Sequence, residues 1–240
     1  MLVNASSETK ADLKAVSEAS STIEWKGRLL LLIVNFVPLV HIVAVILIFF
    51  FLPAGTLVRS LSAIAALYLA PPLLARATRV VVGIPEGRIA VGTKPFFAWW
   101  LMFQLQIVFC RFPALEEVLR LVPGIYSQWL RLWGSRVGRL TFWSPGTLIT
   151  DRSFLSIGDD VIFGAGVRLN AHVLEKGDQG GFELILATVT VGNRAMVGGY
   201  SLLTAGTQIS DGESTRAFLV SPPFSVWKNG KRVRSRSEES

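Results

Sequence analysis

From Leu29 to Leu52 the chain runs for 24 residues without a formal charge. As a helix this stretch extends about 36 Å, more than the roughly 30 Å hydrocarbon core of a bilayer. A spanning helix is therefore expected. A signal peptide would have a much shorter apolar stretch and a small-residue cleavage site, and none follows Phe49-Phe50-Phe51-Leu52. Asn35, Pro38 and His41 interrupt the span at roughly helical spacing, which directs the polar atoms of Asn35 and His41 toward a neighbouring helix. No carboxylate lies near His41 in sequence, so it reads as a neutral packed histidine. A second apolar stretch, 56–75, follows the turn Pro53-Ala54-Gly55, and Pro71-Pro72 should bend or stop it. A third, 95–110, is aromatic-rich but short and contains Gln104 and Gln106. It is expected as an interfacial or re-entrant helix, or as one packed under the domain that follows.

Past Tyr126 the period changes to six. Ile157-Gly158, Phe163-Gly164 and Leu169-Asn170 recur at that interval, as do Val191-Gly192, Val197-Gly198, Leu203-Thr204 and Ile209-Ser210. Two residues before each anchor stands an apolar or small residue, from Leu155 and Val161 to Ser201 and Thr207. A helix needs apolar spacings of three and four, whereas a fixed period of six makes short strands that turn corners and stack coil upon coil. Earlier anchors at Val137, Trp143 and Ile149 share one phase, then slip by two before Ile157. Trp143 is large for an interior position, so an irregular first coil is expected. From Leu169 to Val191 is 22 residues, not a multiple of six. The segment from Lys176 to Gly181 has the glycine and polarity of a loop leaving the coil.

Composition sharpens this picture. Of 240 residues 51% are apolar and only 17% charged, and the mean hydropathy is +0.48, values of a membrane protein. The net charge of +7 and pI near 10.0 favour an anionic partner without choosing one. One cysteine, Cys110, rules out an internal disulfide, and two histidines leave no material for a zinc hydrolase or a three-histidine carbonic anhydrase. No metal site is expected. Gly164-Ala165-Gly166 lacks the strand-to-helix context of a phosphate loop, no G-x-S-x-G elbow occurs, and Asp159-Asp160 reads as a coil corner. Basic residues before the first span and after the second, with only Arg59 in the hairpin, put both ends in the cytoplasm. No recognisable nucleic-acid module is present.

The repeat residues resemble those of the hexapeptide-repeat acyltransferases over roughly 132–233. A narrower likeness is to the membrane-anchored branch resembling the terminal domains of polylysine-type nonribosomal peptide synthetases. It rests on the stretch Leu130-Arg131-Leu132-Trp133-Gly134-Ser135-Arg136-Val137-Gly138-Arg139, the segment led by Asp151, and His172 with Glu175 three residues on. The resemblance implies a left-handed parallel β-helix, three strands to a coil, assembled as a homotrimer with active sites between subunits. The expected fold class is mixed: an N-terminal transmembrane α-helical hairpin plus an interfacial helix, then a left-handed β-helix of hexapeptide repeats. Its segments would be a polar start (1–28), a membrane domain (29–125, with spans 29–52 and 56–75), the β-helix (126–226) and a basic tail (227–240).

His172 lies three residues past an anchor and beside the expected loop, so by phase it sits at a corner and outside the core. An imidazole with a pKa near 6.5 suits the general base of acyl transfer, with Glu175 accepting the other ring N–H and the amide of Asn170 near the oxyanion. By the resemblance, Lys228, Lys231 and Arg232 would meet the phosphates of coenzyme A. Attraction to an anionic leaflet or plain solvation explains them as well. The expected activity is transfer of an acyl group from acyl-CoA or acyl carrier protein to a hydroxyl or amine of a membrane lipid or lipid-linked acceptor. The enzyme would sit in the cytoplasmic (inner) membrane as a multi-pass protein, its catalytic domain facing the cytoplasm. The alternatives are a carrier-protein-dependent peptide-bond-forming domain and a noncatalytic trimeric membrane scaffold.

Overall fold

The structure, a computed structural model, describes residues 23–177 and 181–233. Lys10 and Lys14 in the polar start, loop residues 178–180, and Arg234 and Arg236 in the tail lie outside the described residues. The first apolar stretch forms α1 (Trp25–Val34) and α2 (Val37–Phe51), and the second forms α3 (Thr56–Val82). Trp25–Phe51 and Thr56–Val82 are each long and apolar enough to cross a membrane. The break between α1 and α2 has a local cause. Pro38 has no N–H to offer the carbonyl of Val34, so the ladder is interrupted there.

Of the two outcomes expected at Pro71-Pro72, a bend or a stop, the stop is overturned, because α3 continues for ten residues past Pro72 to Val82. Pro72 cannot bond the carbonyl of Tyr68, but the indole of Trp129 donates to that carbonyl at 2.7 Å. Both prolines are buried, and at Pro72 a partner supplies the missing donor. The partner sits on α6 (Ile125–Leu132), so the proline pair becomes a docking point for the rest of the chain. His41 Nε2 meets the Ala66 carbonyl at 3.2 Å, while Asn35 Oδ1 accepts from Trp100 and Gln104, so both polar residues of the first span do face other helices.

Strand β1 (Gly87–Ala90) leads into α4 (Lys94–Arg111), which turns by 80° into α5 (Ala114–Arg120). Much of 95–110 packs against the rest of the chain. Phe96, Trp99, Met102, Leu105, Gln106 and Phe109 are all buried, most of them in the core that α4 shares with the repeat domain. Residues 126–132 are helical and not part of the β-helix, as α6.

The solenoid then begins. Its first coil is β2 (Arg136–Val137), β3 (Phe142–Trp143) and β4 (Leu148–Ile149), and its second is β5 (Leu155–Ile157), β6 (Ile162–Phe163) and β7 (Arg168–Leu169). An excursion follows as β8 (His172–Lys176) and β9 (Phe182–Leu186). The third coil is β10 (Val189–Val191), β11 (Met196–Val197) and β12 (Leu202–Leu203), and the fourth holds β13 (Gln208–Ile209) and β14 (Val220–Ser221). Strand β15 (Val226–Lys228) extends the first face, and β16 (Lys231–Val233) folds back on it antiparallel.

Strands of successive coils pair in parallel register, Val137 with Ile157 with Val191 with Ile209 with Trp227 on the first face. The sequence anchors are the interior residues. Each apolar anchor contributes about 1.5–3 kcal/mol of burial free energy, which is what holds the period to six. The glycines after them serve the corner: a Cβ on Gly138 would collide with the Gly158 carbonyl oxygen in the coil above. The first coil keeps the period across its three strands and is irregular only after β4. Trp143 stacks on Phe163 at 4.6 Å between centroids, and its indole N–H reaches Ser127 Oγ at 3.0 Å. The expected loop falls between β8 and β9, which pair antiparallel, and β9 also pairs with β1.

Candidate active site

Two irregular corners lie one above the other. After β4 the chain takes two residues more than the period allows, turning through Asp151–Phe154 with Phe154 N–H bonded to the Asp151 carbonyl at 3.0 Å. After β7, its ladder neighbour, the chain leaves as the hairpin that starts at His172. The stacking sets His172 Nδ1 2.5 Å from Asp151 Oδ2. The same carboxylate accepts Trp99 Nε1 on Oδ1 at 3.0 Å and Thr150 Oγ1 on Oδ2 at 3.0 Å. The His172 ring stands edge-on to Trp99 and Phe103, with centroids 5.0 and 5.3 Å away. Its side chain is 18% exposed and that of Asp151 only 1%.

The electrostatics follow from that burial. Removal from water by itself pushes the Asp151 carboxyl up, but the His172 charge and the hydrogen bonds from His172, Trp99 and Thr150 outweigh it and hold the group below the usual carboxylate range. Burial likewise pushes the His172 imidazole down. The Asp151 charge and hydrogen bond overcome that and hold it above its usual value. Because the carboxylate engages Nδ1, that nitrogen carries the proton and donates, which leaves the Nε2 lone pair as the proton acceptor. The arrangement is a base with its tautomer fixed.

Arg152, the next residue, secures this corner to the helices. It is fully buried, its N–H and Nη1 reach Gln106 Oε1 at 3.0 and 2.9 Å, and its Nε reaches Glu116 Oε1 at 2.9 Å. Nη2 also pairs with Glu116, whose other oxygen accepts the Tyr126 hydroxyl at 2.6 Å. Burial works against the charge on Arg152, but the Glu116 carboxylate prevails and keeps it ionised, while burial and that same carboxylate push the Tyr126 phenol up. Arg152 therefore anchors the Asp151 corner to α4, which also supplies the wall of His172.

The residues expected from sequence are placed as follows. Glu175 is three positions along β8 from His172, and in a strand that puts the two side chains on opposite faces. It stands opposite Glu183 in the hairpin register, so its assignment as partner of the ring N–H is corrected: Asp151 is that partner. Asn170 ends the β7 turn with its N–H on the Leu203 carbonyl at 2.9 Å. Its Oδ1 is buried without a hydrogen bond, and no bond joins it to His172 among the described residues. Lys228, Lys231 and Arg232 are exposed on the β15–β16 hairpin at the far end of the solenoid. Three ladder steps separate β15 from β5, about 14 Å.

Asp159 sits at a corner, where its Oδ1 accepts the Arg139 N–H at 2.6 Å. Among the described residues no group of three His, Cys, Asp or Glu is placed to hold a metal. A cleft of about 870 Å³, lined by Arg120, Tyr126, Arg131, Arg139 and Trp143 among others, lies away from the dyad and includes neither His172 nor Asp151. Sequence reasoning missed Asp151 and Trp99 as members of the site. The signal for Asp151 was the two-residue slip in phase before Ile157.

No protein-family model matches the chain, and no curated protein matches it in sequence. Among solved structures it is similar to a maltose O-acetyltransferase from Clostridium difficile 630, at 18% identity and TM-score 0.39 over 52% of this chain and 83% of that one. A galactoside acetyltransferase in complex with coenzyme A gives 16% identity and TM-score 0.35 over 52% and 78%. A hexapeptide-repeat acetyltransferase from Vibrio cholerae O1 biovar eltor, complexed with acetyl coenzyme A, gives 18% and 0.32, and the chain spans 60% of its length. The solved structures named here are acetyltransferases. Superpositions of this extent assign no chemistry, which rests on the geometry above.

Proposed function

We propose that the protein is a membrane-bound acyltransferase built on a left-handed hexapeptide-repeat β-helix, with His172 as general base. The observation that carries this is the His172–Asp151 dyad, a base with a fixed tautomer where the solenoid meets the helices. A thioester of coenzyme A or acyl carrier protein supplies the acyl group, and a hydroxyl or amine of a lipid or lipid-linked acceptor receives it. As the acceptor attacks the thioester carbonyl, His172 Nε2 takes its proton, and Asp151 stabilises the imidazolium. The new O–C or N–C bond forms, the C–S bond breaks, and the imidazolium returns the proton to the departing thiolate. The amide of Asn170 is the side chain proposed for the oxyanion.

Lys228, Lys231 and Arg232 are proposed for the donor's phosphates, as exposed cations at the end of the solenoid. Assembly as a homotrimer is supported by the second face, where Phe142, Ile162 and Met196 point outward and exposed beside the Tyr200–Phe218 stack. Location in the inner membrane with the solenoid in the cytoplasm is supported by Arg76 and Arg79 near the C-terminal end of α3 and Arg88 beyond it, against Arg59 alone near its N-terminal end. A buried carboxylate with three donors trained on it, one of them the imidazole, argues against a noncatalytic scaffold, for which an apolar corner would serve.

Thiol release from acetyl-CoA and from acyl carrier protein thioesters, measured on the full chain in nanodiscs, tests this. His172→Ala should lower turnover by about two to four orders of magnitude, whereas Glu175→Ala, on the opposite face of β8, should stay within a factor of about two of wild type. Full activity in a folded His172→Ala protein would remove the assignment. A wild-type protein inert toward both donors would remove acyl transfer itself.

A further inference from the structure

The first apolar stretch contains a polar break, and the break sits against the same turn of α4 as the dyad. Trp99 and Phe103 of α4 hold the His172 ring, while Trp100 and Gln104, one residue on in each case, donate to Asn35 Oδ1 at 2.9 and 3.1 Å. An indole N–H can only donate, so the atom facing Trp100 is the amide oxygen and the Asn35 NH2 group points elsewhere. Asn35 is exposed on a segment whose other surface is apolar. In contact with lipid, two unmet amide donors are costly, and intramembrane polar groups of this kind serve function. Beside them, Pro38 leaves the Val34 carbonyl without its helical donor. The break therefore offers donors and an acceptor together, the pattern that suits a hydroxyl.

Its depth is set by the sequence. Asn35 lies seven residues beyond Arg28, about 10 Å down the helix from that cation, near the inner edge of the headgroup region. Its distance from the base is set by α4. Successive residues stand about 100° apart around a cylinder about 10 Å across, so the 99/103 and 100/104 stripes are about 8 Å apart. Phe103 and Trp100, with centroids 5.8 Å apart, form the surface between.

We infer that Asn35, Trp100 and Phe103 form the acceptor subsite and that the acceptor is a glycolipid with a headgroup about one sugar long. Asn35 holds an oxygen next to the lipid tail, the sugar lies over the two aromatic rings, and an outer hydroxyl reaches His172 Nε2 and gives it its proton as the ester bond forms. This rests on the acyl-transfer assignment above.

The test compares acceptors for the full chain in phosphatidylcholine nanodiscs with acetyl-CoA as donor. The probes are monoglucosyl diacylglycerol in the disc, glucosylglycerol in solution, and a lipid whose only hydroxyl lies beyond a polyethylene glycol spacer. The glycolipid should exceed both others in kcat/KM by at least about tenfold, the factor that one hydrogen bond of about 1.4 kcal/mol confers. Asn35→Ala and Trp100→Phe should each erode that preference about tenfold, mainly through KM. Equal rates with glucosylglycerol or with the spacer lipid would overturn the inference while leaving acyl transfer standing, as would a preference unchanged in both variants. No thiol release with any acceptor or donor would fail the underlying activity and this inference with it.

Discussion

Replacing Asp151 with asparagine removes one charge and little volume, yet its neighbours decide which way round the new amide sits. Trp99 Nε1 only donates and faces the Oδ1 position at 3.0 Å, so the amide oxygen must occupy that place. The NH2 group is then turned toward His172 Nδ1, where Oδ2 stood at 2.5 Å. An NH2 group donates, so Nδ1 becomes the acceptor and the ring proton moves to Nε2, the nitrogen required as base. Turnover should fall about as far as in His172→Ala, by two to four orders of magnitude.

The other orientation sets the NH2 group against the indole N–H in a buried place, which costs about 1–3 kcal/mol. It therefore holds only about one molecule in five to one in a hundred and fifty. Trp99→Phe in the Asp151→Asn background removes that constraint, the amide can present its oxygen to Nδ1, and turnover should recover roughly 5–100-fold over the single mutant. The recovery is the diagnostic, since Trp99→Phe in the wild-type background should only lower activity by loosening the carboxylate. Thiol release from acetyl-CoA in nanodiscs measures all four proteins. A double mutant slower than Asp151→Asn, or an Asp151→Asn protein as fast as wild type, would refute the tautomer argument.

The pair should also leave its mark on pH dependence. His172 is raised in the fold, so its stabilisation is complete below about pH 6.5 and lost as pH climbs through the raised value. Asp151 is lowered, so its contribution is present above about pH 3.9 and lost as pH falls through its folded value. Thermal unfolding against pH should flatten at both ends in Asp151→Asn, and an unchanged profile would mean the two groups are not coupled. The acidic limb of wild-type kcat/KM should lie above pH 6.5, because the base must be neutral. Glu116→Gln should destabilise the fold by about 3–5 kcal/mol, because it leaves Arg152 buried without a carboxylate. An unfolding temperature equal to wild type would show that Gln106 and the rings around Arg152 suffice.

Much of the solenoid was legible because its physics is local. Every anchor from Val137 to Ile209 lies in the interior, at the period of six within each block of repeats, and the glycines that follow mark a corner too tight for a Cβ. The helices were legible as apolar lengths but not as neighbours. That Pro71-Pro72 would not end α3 depended on Trp129, 57 residues beyond Pro72, supplying a donor to the Tyr68 carbonyl. Nothing in the local pattern of α4 shows that Trp99 will meet Asp151.

The dyad is a different case, since its coordinates along the coil were available. The slip before Ile157 and the departure after Leu169 are both breaks in period, and both follow strands of the third face, β4 and β7, which stack directly. Asp151 is two residues past the anchor Ile149 and His172 three past Leu169, so the two breaks fall at one corner in adjacent coils. A period that buries an apolar residue every sixth position is abandoned only where something outweighs the lost packing. The interval from His172 to Glu175 misled because a carboxylate three residues away shares a face with its partner on a helix and not on a strand. Once 172–176 is known to be extended, Glu175 is excluded, and the carboxylate that remains within reach is the one in the coil beneath.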